Sequence, residues 1–360
     1  MRTLYGVCSW GLGHATRSLP IIRKLIDEGD EVTIVSTGRS LNLLKLELKD
    51  RASYIDLEDY PLPYTERSKV FLLKFCLYSP KLIRSMIDEH KRFLKILDKK
   101  KFDTIISDNR YGFFHRNTPS FFITHQLRII APARIKMIEN SFERFIAHFH
   151  KYFKRFMVPD YEDNGISGEL AHNLKRIKSD KVVYFGIMSD FKKMEIKEDV
   201  DFLFSVSGPE PQRTVLEDLI FQNINDVQGK IVLSLGRKSD SNVEKKRKEL
   251  NENILVYDFL PSEKRELIMN RSKLIISRSG YSTLMDIYAL GKNAMFIPTP
   301  QQTEQEYLAK LHEGRGNFLY VNQDEIDLSK DLERARNYKG PDKRYDLEKN
   351  IERFLEAIYQ

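Results

Sequence analysis

Apolar residues in this chain come in short runs separated by amphipathic stretches, and that alternation persists through both halves. Residues 2–8 form one apolar run, after which Leu19, Ile22, Leu25 and Ile26 recur at helical spacing up to Gly29. The spacing predicts a strand and then a helix, with Pro20 tolerated only in that helix's first turn. Residues 31–37 read as the second strand, so the chain opens strand–helix–strand. Further strands are expected at 53–57, 103–107 and 120–124, with a long basic, apolar helix from Val70 to Leu97 broken at Pro80. After Val182-Val183-Tyr184-Phe185 the pattern restarts, with strands at 201–206, 230–235, 254–259, 274–276 and 294–297 alternating with helices. Strands joined by crossover helices make parallel sheets. The expected fold class is therefore α/β, with two doubly wound Rossmann-like domains at 1–180 and 181–344 and a closing helix at 345–360.

One stretch stands apart from this rhythm. Over Ser141–Met157, Phe142, Phe145, Ile146, Phe149, Phe153 and Phe156 recur at i, i+3, i+4, i+7 spacing, flanked by Lys151, Lys154 and Arg155. An amphipathic helix packed on its own core is the commoner explanation. A helix lying on an anionic membrane, or shaping a groove for a lipid-linked acceptor, is the other.

Length and composition narrow the classes. A chain of 360 residues exceeds one ordinary core, and 41% apolar with 31% charged residues reads as globular. No apolar run approaches the roughly 20 residues needed to span a bilayer, and the start carries no leader pattern. Cys8 and Cys76 are the only cysteines, which fits a reducing, cytoplasmic setting. The histidines show no metal-ligand spacing. The net charge of +7 suits nucleic acid, an anionic membrane or a phosphorylated substrate. No nucleic-acid motif is present, and the glycine turns favour the phosphorylated substrate.

The chemistry concentrates where predicted strands end. Ligands of parallel sheets sit at the carboxyl ends of strands, beside helix N-termini with free amides. Gly11-Leu12-Gly13-His14 begins like a dinucleotide turn, but the third glycine is missing and no acid ends the second strand. A nicotinamide enzyme is disfavoured. His14, before a helix N-terminus that opposes imidazolium, is a candidate general base. Arg17, the pair Asp108-Asn109 and the pair His125-Gln126 fall at the same edge if the sheet is parallel. In the second half, Ser207-Gly208 leads through Arg213 into a helix. The stretch 275–309 carries Ser277-Arg278-Ser279-Gly280, then Asp286 one helical turn in, where a carboxylate suits a ribose diol. Asp199-Val200-Asp201 has the spacing of a metal-binding acid pair but opens a predicted buried strand, so it is read as coincidence.

Ser277-Arg278-Ser279-Gly280, Asp286, Gly291-Lys292 and Gln305-Glu306 together resemble the donor-site signature of the sugar-nucleotide transferases typified by the peptidoglycan UDP-N-acetylglucosamine transferase (glycosyltransferase family 28-like). The Gly-x-Gly-His turn is similar to that family's first loop. Asp286 stands where the family usually has Glu, and Glu306 where it has a second amide, which leaves the sugar open. The resemblance implies the GT-B arrangement, two domains facing across a cleft with the last helix returning to the first. It further implies a pyrophosphate loop at Ser207, Gly208 and Arg213, a base-binding loop at Phe259-Leu260, and donor contacts from Arg278, Ser279, Gly280, Asp286, Gln305 and Glu306. Gly11, Gly13, Arg17, Asp108, Asn109, His125 and Gln126 would lie on the acceptor side, with His14 as base. The implied activity is inverting, metal-independent transfer of a sugar, N-acetylglucosamine first among candidates, from its UDP ester to a hydroxyl, with no cofactor. A UDP-sugar epimerase or hydrolase is the rival within the fold, and a non-catalytic UDP-sugar-binding partner subunit is the non-enzymatic one.

Overall fold

The computed structural model describes residues 1–60, 71–237, 240–341 and 345–360, with residues 71–79 as backbone only. Val70, Lys238, residues 342–344 and the Cys76 thiol lie outside what is described. The chain divides into two units, Met1–Asp190 with Asp346–Gln360, and Phe191–Tyr345.

The first unit runs β1 (Arg2–Val7), α1 (Leu12–Asp27), β2 (Glu31–Ser36), α2 (Gly38–Leu48), β3 (Ser53–Asp56), α3 (Phe71–Lys99), β4 (Thr104–Asp108), β5 (Ser120–Ile123), α4 (Lys136–His148), β6 (Arg155–Val158) and β7 (Val182–Tyr184). Its described strands form one parallel sheet in the order β3-β2-β1-β4-β5-β6-β7. Every residue of β4 and β5 is buried, as expected for strands covered on both faces. The order reverses between β1 and β4, where Val7 pairs with Asp108, and this reversal opens a crevice at the carboxyl edge.

The second unit runs β8 (Val200–Ser205), α5 (Gln212–Asn223), β9 (Ile231–Ser234), α6 (Ser241–Arg247), β10 (Ile254–Tyr257), α7 (Ser262–Arg271), β11 (Ser272–Ser277), α8 (Tyr281–Leu290), β12 (Asn293–Phe296), α9 (Thr303–Gly314), β13 (Leu319–Tyr320) and α10 (Leu328–Ala335). Its strands order as β10-β9-β8-β11-β12-β13, all parallel, and the reversal falls between β8 and β11. The last helix, α11 (Leu347–Tyr359), belongs to the first unit. Asp346 caps it by accepting from the Lys349 amide. Phe354, fully buried, meets Phe185 with ring centroids 5.1 Å apart, and burying such a ring stabilises by about 1.5–3 kcal/mol.

Four expectations are corrected. β7 closes the first sheet rather than opening the second, so the division falls after Asp190 and not at 180; three residues after a loop looked like a restart because the short strand precedes a long extended stretch. Pro20 lies inside α1, which begins at Leu12, so His14 belongs to the first helical turn. Pro80 lies within α3 and does not divide it. The phenylalanine stripe is not one helix: α4 ends at His148, a 3₁₀ turn covers Phe149–Lys151, and Phe156 lies in β6. Phe153 and Phe156 are core residues, and Phe142, Phe145 and Phe149 pack against the same cluster. The helical spacing was real for one part and coincident with strand alternation for the other. Among the described residues, no helix is long and apolar enough to cross a membrane.

Candidate functional site

The carboxyl edge of the first sheet gathers several polar side chains around one buried carboxylate. Asp108 ends β4 and has no exposed surface. His14, Arg17 and Ser18 lie at i, i+3 and i+4 on α1, hence on one face, and all three reach it. His14 Nδ1 is 2.8 Å from Asp108 Oδ1. Arg17 donates from Nε to Oδ2 at 2.8 Å and from Nη2 to Oδ1, and Ser18 Oγ donates to Oδ2 at 3.0 Å. Burial would raise the Asp108 carboxyl, but Arg17 and then His14 hold it far below the usual carboxylate range. Asp108 is therefore an anion at any ordinary pH.

The ionised carboxylate fixes the His14 tautomer. Arg17 Nη2 also lies 2.9 Å from His14 Nδ1, but a guanidinium cannot accept and its proton is already directed at Oδ1. Nδ1–H therefore donates to Asp108, which leaves the Nε2 lone pair unprotonated. Burial, and then the charge of Arg17, lower the His14 pKa from 6.5 against the opposing pull of Asp108. The ring is thus neutral near pH 7, with its side chain 16% exposed. Beyond β5, His125 Nδ1 lies 3.2 Å from Arg17 Nη1; because arginine only donates, Nδ1 is the acceptor and the neutral ring carries its proton on Nε2. A proton acceptor and a proton donor thus share one sheet edge.

The loop before α1 is held in place. Ser9 donates through its amide at 2.5 Å and its hydroxyl at 2.8 Å to Asp59, and Trp10 Nε1 donates to the Tyr60 carbonyl at 2.7 Å. Gly11 caps α1 at φ 143°, a conformation side chains avoid. Gly13 lies in the first turn, where its carbonyl accepts from Thr16 Oγ1. Asn109, at φ 57°, donates its amide to the Ile123 carbonyl at 3.1 Å and accepts from the Tyr60 hydroxyl. The Gln126 amide donates to Thr124 Oγ1. Asn109 and Gln126 therefore shape loops, whereas His14, Arg17, Asp108 and His125 form the cluster. Asp59 and Tyr60 were missed by sequence reasoning; the signal available was a carboxylate just past a strand end.

In the second unit, Arg278 is the organising residue and departs from the role expected of it. It is 2% exposed. Its Nη1 donates to the Ile297 and Pro298 carbonyls, both at 3.0 Å, and its Nη2 to the Gln212 carbonyl at 2.9 Å and Gln323 Oε1 at 2.7 Å. It ties together the loops after β8, β11 and β12 and has no donor left for direct contact with a diphosphate. Burial lowers its pKa to about 10, so it stays charged, and among the described residues no carboxylate neutralises it. The junction therefore carries fixed positive charge that favours a nearby anion.

The helix starts around this junction differ. At α5, the expected pyrophosphate loop, Glu210 accepts from the Thr214 amide at 3.2 Å and its hydroxyl at 2.8 Å, and pairs with Arg213. A carboxylate already occupies that terminus, so the Arg213 expectation is corrected. Ser207 lends its carbonyl to Arg278 Nε at 3.4 Å, and Gly208, at φ 112°, comes close to Thr299. At α8, no side chain caps the helix and no acid lies in the first turn. A Cβ on Gly280, whose φ is an ordinary −69°, would meet no atom within 4 Å. Here the glycine leaves open space at an uncapped helix N-terminus.

The remaining donor-side residues sit around α8. Ser279 Oγ donates to the Gln305 carbonyl at 2.7 Å, and Gln305 Oε1 accepts from the Thr299 amide at 2.8 Å. Both are buried and brace the loop, as does Glu306, which accepts from the Gln301 amide at 2.8 Å. Asp286 pairs with Arg265 of α7 at 2.8 Å, bringing the loop before α7 alongside α8. In that loop Phe259 is 52% exposed, whereas Leu260 is buried. Asp199 and Asp201 lie at the opposite, amino end of β8, paired with Arg271 and Lys273.

Residues 212–356 match the family model described as the glycosyltransferase family 28 C-terminal domain, and residues 1–142 match the one described as glycosyl transferase family 1. An uncharacterized glycosyltransferase of Methanosarcina acetivorans is 21% identical, covering 96% of this chain and 91% of the relative. The UDP-N-acetylglucosamine–N-acetylmuramyl-(pentapeptide) pyrophosphoryl-undecaprenol N-acetylglucosamine transferase of Rickettsia massiliae is also 21% identical, over 88% of this chain and 86% of its own. Among solved structures, MurG of Acinetobacter baumannii superposes with a TM-score of 0.57 at 13% identity, over 100% of this chain and 99% of that one.

Proposed function

This chain is a family 28-like glycosyltransferase of the GT-B fold, and we propose that it moves N-acetylglucosamine from its UDP ester to an acceptor hydroxyl with inversion at the anomeric carbon. The observation that carries the mechanism is the hydrogen bond from His14 to buried Asp108, which leaves Nε2 able to accept a proton. In one displacement, the acceptor oxygen bonds to the anomeric carbon as the bond from that carbon to the diphosphate oxygen breaks. The hydroxyl proton passes to His14 Nε2, and Asp108 stabilises the imidazolium that forms. The departing UDP carries the negative charge. The uncapped start of α8 at Ser279-Gly280 and the buried charge of Arg278 are suited to receive it. Asp286, shared with Arg265, would hold the ribose, and the Phe259 loop the base.

UDP and N-acetylglucosamine are favoured by the Ser-Arg-Ser-Gly signature and by the Rickettsia relative, whose name specifies both. That relative's acceptor is lipid-linked, and a lipid-linked hydroxyl is the acceptor class proposed here. No metal is assigned a part, because the one acid pair with suitable spacing is ion-paired at the far edge of the second sheet. Epimerisation would call on Asp108, His125 and Glu306 as further acids and bases, but Asp108 is locked by Arg17 and Glu306 braces a loop. The test is to incubate radiolabelled UDP-N-acetylglucosamine with protein alone and with lipid-linked and oligosaccharide acceptors. Label should move into acceptor, with UDP released only when acceptor is present. Rapid acceptor-free release of UDP, or an epimer, would refute transfer.

A further inference from the structure

A cavity of about 670 Å³ opens at the amino ends of β5, β6 and β7, the edge opposite His14. With about 3.3 Å per residue along four-residue β5, the two edges stand on the order of 13 Å apart. Arg116, His150, Lys151, Lys154 and Lys181 line the cavity, and no carboxylate does. Lys151 and Lys154 lie over the rings of Tyr152 and Phe121, 4.9 and 5.9 Å from the centroids. Lys181 donates to the Lys154 carbonyl at 3.3 Å. Among the described residues none of these lysines, nor Arg116, pairs with a carboxylate, although cations elsewhere in this unit commonly do, as Arg110 with Glu89 and Arg128 with Glu143. A second observation points the same way: His150 Nε2 is buried with no hydrogen-bond partner, so this wall holds polar capacity that the fold leaves unused.

Like charges gathered in one concave site repel one another, and concavity strengthens the field they make. Relief requires an anion. A carboxylate would offset one cation, whereas a phosphate carries about −1.5 to −2 charges and three acceptor oxygens. It also suits an arginine fork set among lysine point charges. We propose that this cavity is a binding site for a phosphate group, separate from the sugar-transfer edge. The cavity shares His115, Arg116, Asn117 and Tyr152 with an apolar groove of about 720 Å³ walled by Ile83, Ile87 and Phe149. The phosphate can therefore arrive free or as the head group of an amphiphile whose stem enters the groove.

Amide NMR of the full chain during titration with inorganic phosphate tests the site, because the shifts locate the binding. Perturbations should cluster at His115–Ser120, His150–Lys154 and Lys181, apart from any at α8. In a Lys154→Ala/Lys181→Ala variant affinity should fall about tenfold or more, since each lost charge-assisted hydrogen bond is worth roughly that factor. Arg116→Ala, on an exposed loop residue, gives an independent variant. Co-sedimentation with phosphatidylcholine vesicles, with and without phosphatidylglycerol, distinguishes the source. Capture only by the anionic vesicles, lost in both variants, supports the site with a lipid head group as its ligand. Shifts confined to other residues, or binding unchanged by both variants, would overturn the proposal, as would failure to bind phosphate and anionic vesicles alike.

Discussion

Replacing His14 by alanine removes the proposed base while leaving its setting nearly intact. Asp108 would keep two hydrogen bonds from Arg17 and one from Ser18, so no buried charge is orphaned. The fold loses one hydrogen bond to a charged group, worth roughly 1.5–3 kcal/mol at most, and water can enter beside a side chain already 16% exposed. Catalysis should suffer far more. General-base assistance is worth about 10²–10⁴-fold, or roughly 2.7–5.4 kcal/mol of barrier. Steady-state UDP release with saturating acceptor should fall by that factor, while UDP affinity measured by calorimetry stays within about twofold. The pH profile gives a second reading. Only the neutral ring accepts a proton, and its pKa is lowered from 6.5 by burial and Arg17, so wild-type turnover should be flat near pH 7 and fall on an acid limb below 6.5. Stability follows the same sign: as pH drops below 6.5 the unfolded chain takes up a proton that the fold resists, and stability declines. A loss of turnover under a few-fold, a parallel loss of UDP affinity, or an acid limb above 6.5 would refute the assignment.

Other outcomes separate the remaining roles. Gly280→Ser should leave thermal stability unchanged or slightly higher, since serine is favoured at an N-cap and a Cβ there meets nothing. Donor affinity should nevertheless fall; equal affinity by calorimetry would mean that no ligand approaches α8. Asp286→Ala should weaken UDP binding about tenfold or more through a lost hydrogen bond to a charged acceptor, with little change in melting temperature because Arg265 is 38% exposed. Unchanged affinity would remove Asp286 from the ribose. Treatment with EDTA should leave turnover intact, and complete loss restored by Mg²⁺ or Mn²⁺ would contradict the metal-free route. Phe156→Ala should destabilise by about 3–5 kcal/mol in denaturant titration, because the ring is fully buried; a near-neutral change would reopen an exposed role for that stripe.

Much of the fold was legible because parallel strands buried on both faces are short, apolar and bounded by turns. β4 and β5 stood out for that reason, as did the turns that follow β1 and β11. Boundaries were harder where two periods overlap: Phe142 to Phe149 follow helical spacing, and Phe153 and Phe156 continue it by accident inside a turn and a strand. Pro20 misled because surrounding packing outweighs the hydrogen bond it removes. At the site, His14 and Asp108 could each be placed at the right edge, but their hydrogen bond depends on the pairing of β1 with β4, a contact 94 residues apart. Arg278 shows the opposite failure. Its motif marked the correct loop, yet the number of carbonyls that converge on its guanidinium is invisible without the loops after β8 and β12. Glu210 blocking α5 is likewise a matter of side-chain reach rather than residue type.

The central claim, that the second unit takes a UDP-sugar donor, is tested most directly by calorimetric titration of UDP, GDP and dTDP into the full-length protein. The account predicts saturable binding of UDP, with GDP and dTDP at least several-fold weaker. Binding of none of the three, or tighter binding of GDP or dTDP than of UDP, would contradict it.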